Sequence, residues 1–138
     1  MPTVRLLYFS KASRDMSLAD LSSILETARQ NNQEQNICGM LCYERRYFLQ
    51  CLEGERSAVN ELYLDIADDP RHDEITIVSY EEIPETEFSQ WQMGYAGSSA
   101  EFNELLSEMG QQAFSPDDLK PELALDFLRH MSGKQQEI

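Results

Sequence analysis

The first residue that could do chemistry lies in the stretch Tyr47-Phe48-Leu49-Gln50-Cys51-Leu52-Glu53-Gly54. The stretch reads as a buried strand, aromatic and aliphatic and closed by a glycine. Gln50 nevertheless places a primary amide on the same side as Phe48 and Leu52. A buried amide group without a partner costs about 1–3 kcal/mol. Gln50 is therefore either satisfied by backbone inside the core or aimed at a polar ligand. A second amide pair, Asn31-Asn32, closes a helical stripe that includes Ile24 and Ala28. It is either a C-terminal cap, which asparagine supplies by tolerating a left-handed conformation, or a further polar group turned toward a sheet. Tyr8 adds a phenol within the apolar run Val4–Ser10. The three thiols, Cys38, Cys42 and Cys51, all fall in apolar strand-like runs. An odd number without framework spacing points to reduced cysteines in a cytoplasmic protein. Cys38 and Cys42 lack the second pair that a zinc site needs, so core packing is the better reading.

The chain has 138 residues, enough for one domain, with 41% hydrophobic and 26% charged residues. Its 25 acidic and 11 basic residues leave a net charge of −14. A surface this negative repels DNA, RNA and anionic lipid, which argues against direct nucleic-acid or membrane-surface binding. A phosphate-bearing ligand would have to find its positive charge in a few specific residues. No apolar run approaches the ~20 residues of a membrane span, and the N-terminus does not read as a signal peptide.

These groups must be positioned by regular elements. Val4–Ser10 reads as a first strand, with apolar residues on both faces, so the sheet is predicted to be covered on both sides. Lys11–Met16 is a loop. Ser17 opens a helix with Asp20 in the capping-box position, and the helix is predicted to end near Asn31-Asn32. Ile37–Tyr43 is a second strand, joined by the turn Glu44-Arg45-Arg46 to the Gln50 strand as a hairpin. After Gly54 a second helix runs to about Asp68, ended by Asp69-Pro70. Ile75–Ile83 is a fourth strand, Glu85–Ser89 an acidic loop, and Trp91–Ala96 a short fifth strand broken by Gly97-Ser98-Ser99. Two amphipathic segments follow, Phe102–Met109 and Leu119–Met131, and the residues from Ser132 on are predicted to be disordered.

The order β-α-β-β-α-β-β predicts an α+β, ferredoxin-like sheet with both crossover helices on one face. The two C-terminal helices then cover the other face, toward which Leu7, Phe9, Leu49 and Cys51 point. Tyr8 and Gln50 are left on the crossover-helix side, on neighbouring strands. By alternation Trp91 and Met93 share a face.

Several short motifs now fall in one order: Leu7-Tyr8-Phe9-Ser10, Arg29-Gln30-Asn31-Asn32, Ile37-Cys38-Gly39-Met40-Leu41, Phe48-Leu49-Gln50-Cys51-Leu52-Glu53-Gly54, Asp69-Pro70-Arg71-His72 and Trp91-Gln92-Met93. Together they resemble the BLUF family, blue-light sensors that use FAD, over roughly residues 3 to 97. The resemblance implies a flavin ring between the two crossover helices, sandwiched by Ile24 and Ile66. Asn31 and Asn32 would bond the polar pyrimidine edge, which suits groups that both donate and accept. Tyr8 and Gln50 would be the photochemical pair, and Trp91 and Met93 the switching residues beside Gln50. Asp69, Arg71 and His72 resemble the loop that flanks the cofactor, with Arg71 a phosphate partner. Asp65 stands where relatives often carry a basic residue, so FMN or riboflavin stay open beside FAD.

By the same resemblance the protein turns over no substrate. Excited flavin would oxidise Tyr8, Gln50 would relay the proton, and the amide would be left rotated or tautomerised. Residues 1–97 would form the flavin-binding domain and residues 98–138 a helical extension packed on the sheet. With no further domain after those helices, output is expected to pass to a downstream signalling protein, with the chain a homo-oligomer. Two other readings stand beside this one. A small ferredoxin-like hydrolase of phosphorylated or acyl substrates would use an Arg/Asn pair, and a ligand-free oligomeric interaction module would use none of these groups. Fold alone does not choose among them.

Overall fold

The structure is a computed structural model that describes residues 2–97 and 99–135. Five strands and four helices follow in the order β1 (Thr3–Ala12), α1 (Leu18–Gln35), β2 (Cys38–Glu44), β3 (Tyr47–Glu55), α2 (Arg56–Ala67), β4 (His72–Glu82), β5 (Gly94–Ala96), α3 (Ala100–Glu108) and α4 (Pro121–Ser132). The sheet order is β4-β1-β3-β2-β5. All neighbours are antiparallel except β2 and β5. This is the predicted ferredoxin-like arrangement with one parallel strand added at the edge.

Strand alternation sorts the core into two layers. Val4, Leu6, Tyr8, Leu41, Phe48 and Leu52 point toward α1 and α2, where Leu21, Leu25 and Val59 meet them. Leu7, Met40, Cys42, Leu49 and Cys51 point the other way, onto Phe102, Phe127 and Leu128 of α3 and α4. The C-terminal cover is aromatic: Phe102 and Phe127 meet edge to face with ring centroids 4.9 Å apart. All three cysteines are free and buried. Among the described residues no helix is long and apolar enough to cross a membrane.

Local chemistry sets the start of α1. Ser17 Oγ accepts from Asp20 N at 3.1 Å, and Asp20 Oδ2 accepts from Ser17 N at 3.0 Å, a complete capping box. The predicted end near Asn31-Asn32 is too early. The helix continues to Gln35, and the left-handed cap is Asn36, at φ 56° and ψ 42°. Asn31 and Asn32 are therefore helix-interior residues, and their amides are free for other work. β4 likewise starts at His72, earlier than the predicted Ile75, because its first residues pair with Lys11 and Ala12 of β1.

The fifth strand is shorter than predicted, and this changes the placement of two residues. Trp91, Gln92 and Met93 lie outside β5, so strand alternation does not govern them. Met93 is buried in the α1–α2 core, whereas Trp91 packs against the α3–α4 core on the opposite face. They do not share a face. Gly94 allows this close approach: a Cβ there would lie 2.4 Å from Met40 Sδ. The expectation of disorder from Ser132 also fails. Ser132 is helical, and Gln135 Oε1 accepts from Tyr95 N at 3.3 Å. Ser98 of the predicted Gly97-Ser98-Ser99 break, and residues 136–138 of the predicted disordered tail, lie outside the described residues.

Candidate functional site

Tyr8 and Gln50 are direct cross-strand partners in the β1–β3 ladder, so their side chains leave the sheet together on the crossover-helix face. The Tyr8 hydroxyl donates to Gln50 Oε1. Gln50 Nε2 donates to Met93 Sδ at 3.3 Å. The amide is thus satisfied neither by backbone nor by another amide. It bridges a phenol, a strong donor, and a thioether, a weak acceptor. Burial pushes the Tyr8 phenol well above its ordinary pKa of about 10, so it is held protonated, as a donor.

Above this pair, between α1 and α2, opens a cleft. Ile24 of α1 and Ile66 of α2 supply its apolar walls, and Tyr8 and Gln50 its floor. Asn31, Asn32, Asp69, Arg71 and His72 line it too. All nine residues that the resemblance puts around a flavin therefore line one cavity. Trp91 and Met93 do not line it. Met93 reaches it through Gln50, and Trp91 is on the far face of the sheet.

Asn32 carries an informative anomaly. It is fully buried; its Nδ2 donates to Gln92 O at 2.6 Å, but its Oδ1 has no partner. An orphaned buried acceptor of this kind is costly, and Asn32 is one of the residues that line the cleft. It fits a ligand that brings an N–H donor to that atom, as the imide of a flavin does.

The cleft is less positive than its arginine suggests. Arg71 is committed to Asp69, with Nε at 3.0 Å from Oδ1 and Nη2 at 2.6 Å from Oδ2. That guanidinium holds the Asp69 carboxyl below the ordinary carboxylate range. His72 shares a 2.7 Å hydrogen bond between Nδ1 and Ser10 Oγ. Burial lowers its pKa and favours the neutral ring.

Sequence reasoning missed other contributors. Thr27 and Leu62 line the cleft at helical spacing from Ile24 and Ile66, and Leu41 and Phe48 line it from the sheet; the same stripes and alternation could have found them. Asp65, singled out in the sequence as a departure from a basic residue, was not missed and lines the cleft as well. Arg29, whose Nε donates to Met93 O at 3.0 Å, gave no signal beyond its place in a motif. Its partner is fixed only by the path of a distant loop.

Comparison with known proteins converges on one group. The family described as "BLUF: Sensors of blue-light using FAD" matches residues 3–94. The photoactivated adenylate cyclase subunit beta of Euglena gracilis is 36% identical over 131 residues, covering 93% of this chain and 15% of that protein. Subunit alpha of the same organism is 43% identical over 75 residues, 54% of this chain and 7% of that protein. The chain thus spans about 15% or less of these curated relatives. Among solved structures, BlsA in its photo-activated state superposes with a TM-score of 0.91 at 33% identity, covering 99% of both chains. BlrB, a BLUF protein in its dark state, gives 0.82 at 30% identity, covering 96% of this chain and 97% of that one.

Proposed function

This chain belongs to the BLUF family of blue-light sensors using FAD, and from that membership we propose that it binds a non-covalent flavin and signals light through Tyr8 and Gln50. The observation that carries the reading is the hydrogen-bonded run Tyr8–Gln50–Met93 beneath a cleft with an orphaned Asn32 acceptor. Asn32 Oδ1 would accept from the imide N–H of the ring, and the Asn31 amide would bond the neighbouring edge. Ile24 and Ile66 would clamp the ring faces. FAD is the form that the family name specifies. Because Arg71 is already paired with Asp69 and the acidic Asp65 also lines the cleft, the chain gives a diphosphate little extra hold, and FMN or riboflavin would fit the same ring site.

When bound and excited by blue light, the flavin supplies a one-electron oxidant beside the phenol. Tyr8 would give an electron to that oxidant and its hydroxyl proton to Gln50 Oε1, the acceptor it already faces. By taking that proton on Oε1 and releasing one from Nε2, Gln50 would become the imidic tautomer. Once Tyr8 has recovered an electron and a proton, the side chain would be left in that form or as an amide turned end for end. Turning the amide would put its oxygen in place of the Nε2 donor at Met93 Sδ, and the tautomer would leave one N–H in place of two for that contact. A thioether is a weak acceptor, so little opposes either change. Met93 responds directly, and Trp91 through the loop they share.

The hydrolase reading gives way to the family assignment, whose name describes sensors. The cyclase activity named for the Euglena relatives belongs to proteins of which this chain covers a small part. We assign residues 1–97 to light sensing and residues 98–138 to a helical cover through which the signal reaches a separate protein or a second copy of the chain. The test is an absorption spectrum of purified protein before and after blue light. A yellow sample with a structured blue band and a reversible shift supports the reading. A colourless sample that takes up no added flavin overturns it.

A further inference from the structure

Glu53 stands on β3, three residues beyond Gln50, and is fully buried. Its two carboxylate oxygens face different structures. Oε2 accepts from Arg5 Nε of β1 at 2.9 Å. Oε1 accepts from two successive backbone amides, Glu87 N and Phe88 N, each at 2.8 Å, and from Cys38 Sγ of β2 at 3.6 Å. Burial and the adjacent Glu53 charge push the Cys38 thiol up to about 12, so it remains a donor. Glu87 and Phe88 belong to the irregular segment between β4 and β5, the segment that ends in Trp91, Gln92 and Met93. Trp91 N in turn donates to Phe88 O at 2.9 Å. A carboxylate in the sheet core thus grips a loop that has no strand or helix of its own.

We propose that Glu53 is a positioning residue for the light switch: it clasps residues 87–88 to β3, and so keeps Met93 Sδ against Gln50 Nε2. The proposal rests on the Tyr8–Gln50 reading for its functional half and on geometry alone for the clasp. Gln50 and Glu53 share one rigid strand. A loop pinned to that strand at residue 53 and to α1 through Arg29 and Asn32 cannot drift from Gln50 without releasing one of these holds. Arg5 closes the other side. Its Nη2 bonds Glu87 Oε1 at 2.7 Å, so the loop is held by side chain as well as backbone. Charge-assisted bonds to backbone amides are the stronger kind, which suits a fixed hinge.

Glu53→Gln separates a clasp from general support. The charged Arg5 takes the single amide oxygen, which turns the NH2 group toward two N–H donors that it cannot serve. Trp91 is the only tryptophan, so emission excited beyond the tyrosine absorption reports this loop, and does so without flavin. The clasp predicts a red-shifted Trp91 emission and stronger acrylamide quenching in the variant. In the flavin-loaded variant, dark recovery should accelerate about tenfold, since Gln50 reorients against a looser Met93. Lower thermal stability with unchanged Trp91 emission and unchanged recovery would overturn the proposal and leave Glu53 a structural ion pair. If Trp91 loosens but the wild type shows no light reaction, the clasp stands and the Tyr8–Gln50 reading fails. Should the variant not fold, amide exchange in the wild type decides. Glu87 and Phe88 N–H groups as protected as β3 support the clasp, and exchange at exposed-loop rates overturns it.

Discussion

At the scale of single residues, the function proposed here depends on a phenol kept protonated and an amide kept between two unequal partners. Tyr8→Phe removes one hydroxyl and leaves the ring in the wall of the cleft. It should cost about 1 kcal/mol of stability, retain flavin, and abolish the light-induced shift. Gln50→Leu should also abolish the shift, although the donor is intact. A reversible shift in either flavin-loaded variant would exclude the relay. His72 makes a separate prediction. Its folded-state pKa lies below the ordinary value because burial disfavours the charged ring. Above about pH 6.5 neither folded nor unfolded state is protonated there, and its contribution is fully present. As the pH falls through that range the unfolded chain takes the proton first, so stability declines. Asp69, depressed by Arg71, adds a second loss at lower pH, through the ordinary aspartate range. Urea midpoints across these ranges should show both steps, and His72→Gln should remove the first.

At the scale of elements, α1 matters because its length decides where two amides point. Its cap at Asn36 sits in the left-handed region, where a β-carbon residue other than Asn pays about 1–2 kcal/mol. Asn36→Ala should therefore destabilise the protein by about 1 kcal/mol, while Asn36→Gly should be close to neutral. Chemical denaturation of the two variants checks this, and equal stability would show that the cap carries no weight. The hairpin between β2 and β3 uses the same region. Arg45 and Arg46 both have positive φ, unusual for arginine, and Arg46 Nη2 is tied to Ala12 O at 3.0 Å and Ser13 O at 2.9 Å. Those bonds hold the turn that keeps Gln50 in register with Tyr8.

At the scale of the whole molecule, one sheet serves two cores. One face carries the cleft, and the other is covered by α3 and α4, with Phe102, Phe127, Leu128 and Met131 fully buried against it. Ending the chain at Gly97 would bare Leu7, Met40, Leu49 and Cys51. An exposed apolar surface of that kind drives association. The truncated protein should keep the flavin and the light reaction but aggregate or change its oligomeric state, as size-exclusion chromatography would show. A soluble truncation with unchanged oligomeric state would assign α3 and α4 some role other than cover.

Periodicity made much of this legible in advance. Alternation within β1 and β3 is a local property, and the order of elements admits few right-handed topologies, so the faces of Tyr8, Gln50, Leu7 and Leu49 could be read from the chain. The residues that would surround a ring followed from motifs lying on those same elements. The tertiary structure decided what depends on irregular backbone. The loop from Glu87 to Met93 has no periodicity to read, and its path is set by bonds to Glu53, Arg29 and Asn32, up to 64 residues away in sequence. Those bonds set Trp91 and Met93 on opposite faces and, by engaging Asn32 Nδ2, left its Oδ1 a buried acceptor without a partner. Side-chain to backbone hydrogen bonds across such separations leave no spacing signal in the chain, because either partner alone is an ordinary polar residue.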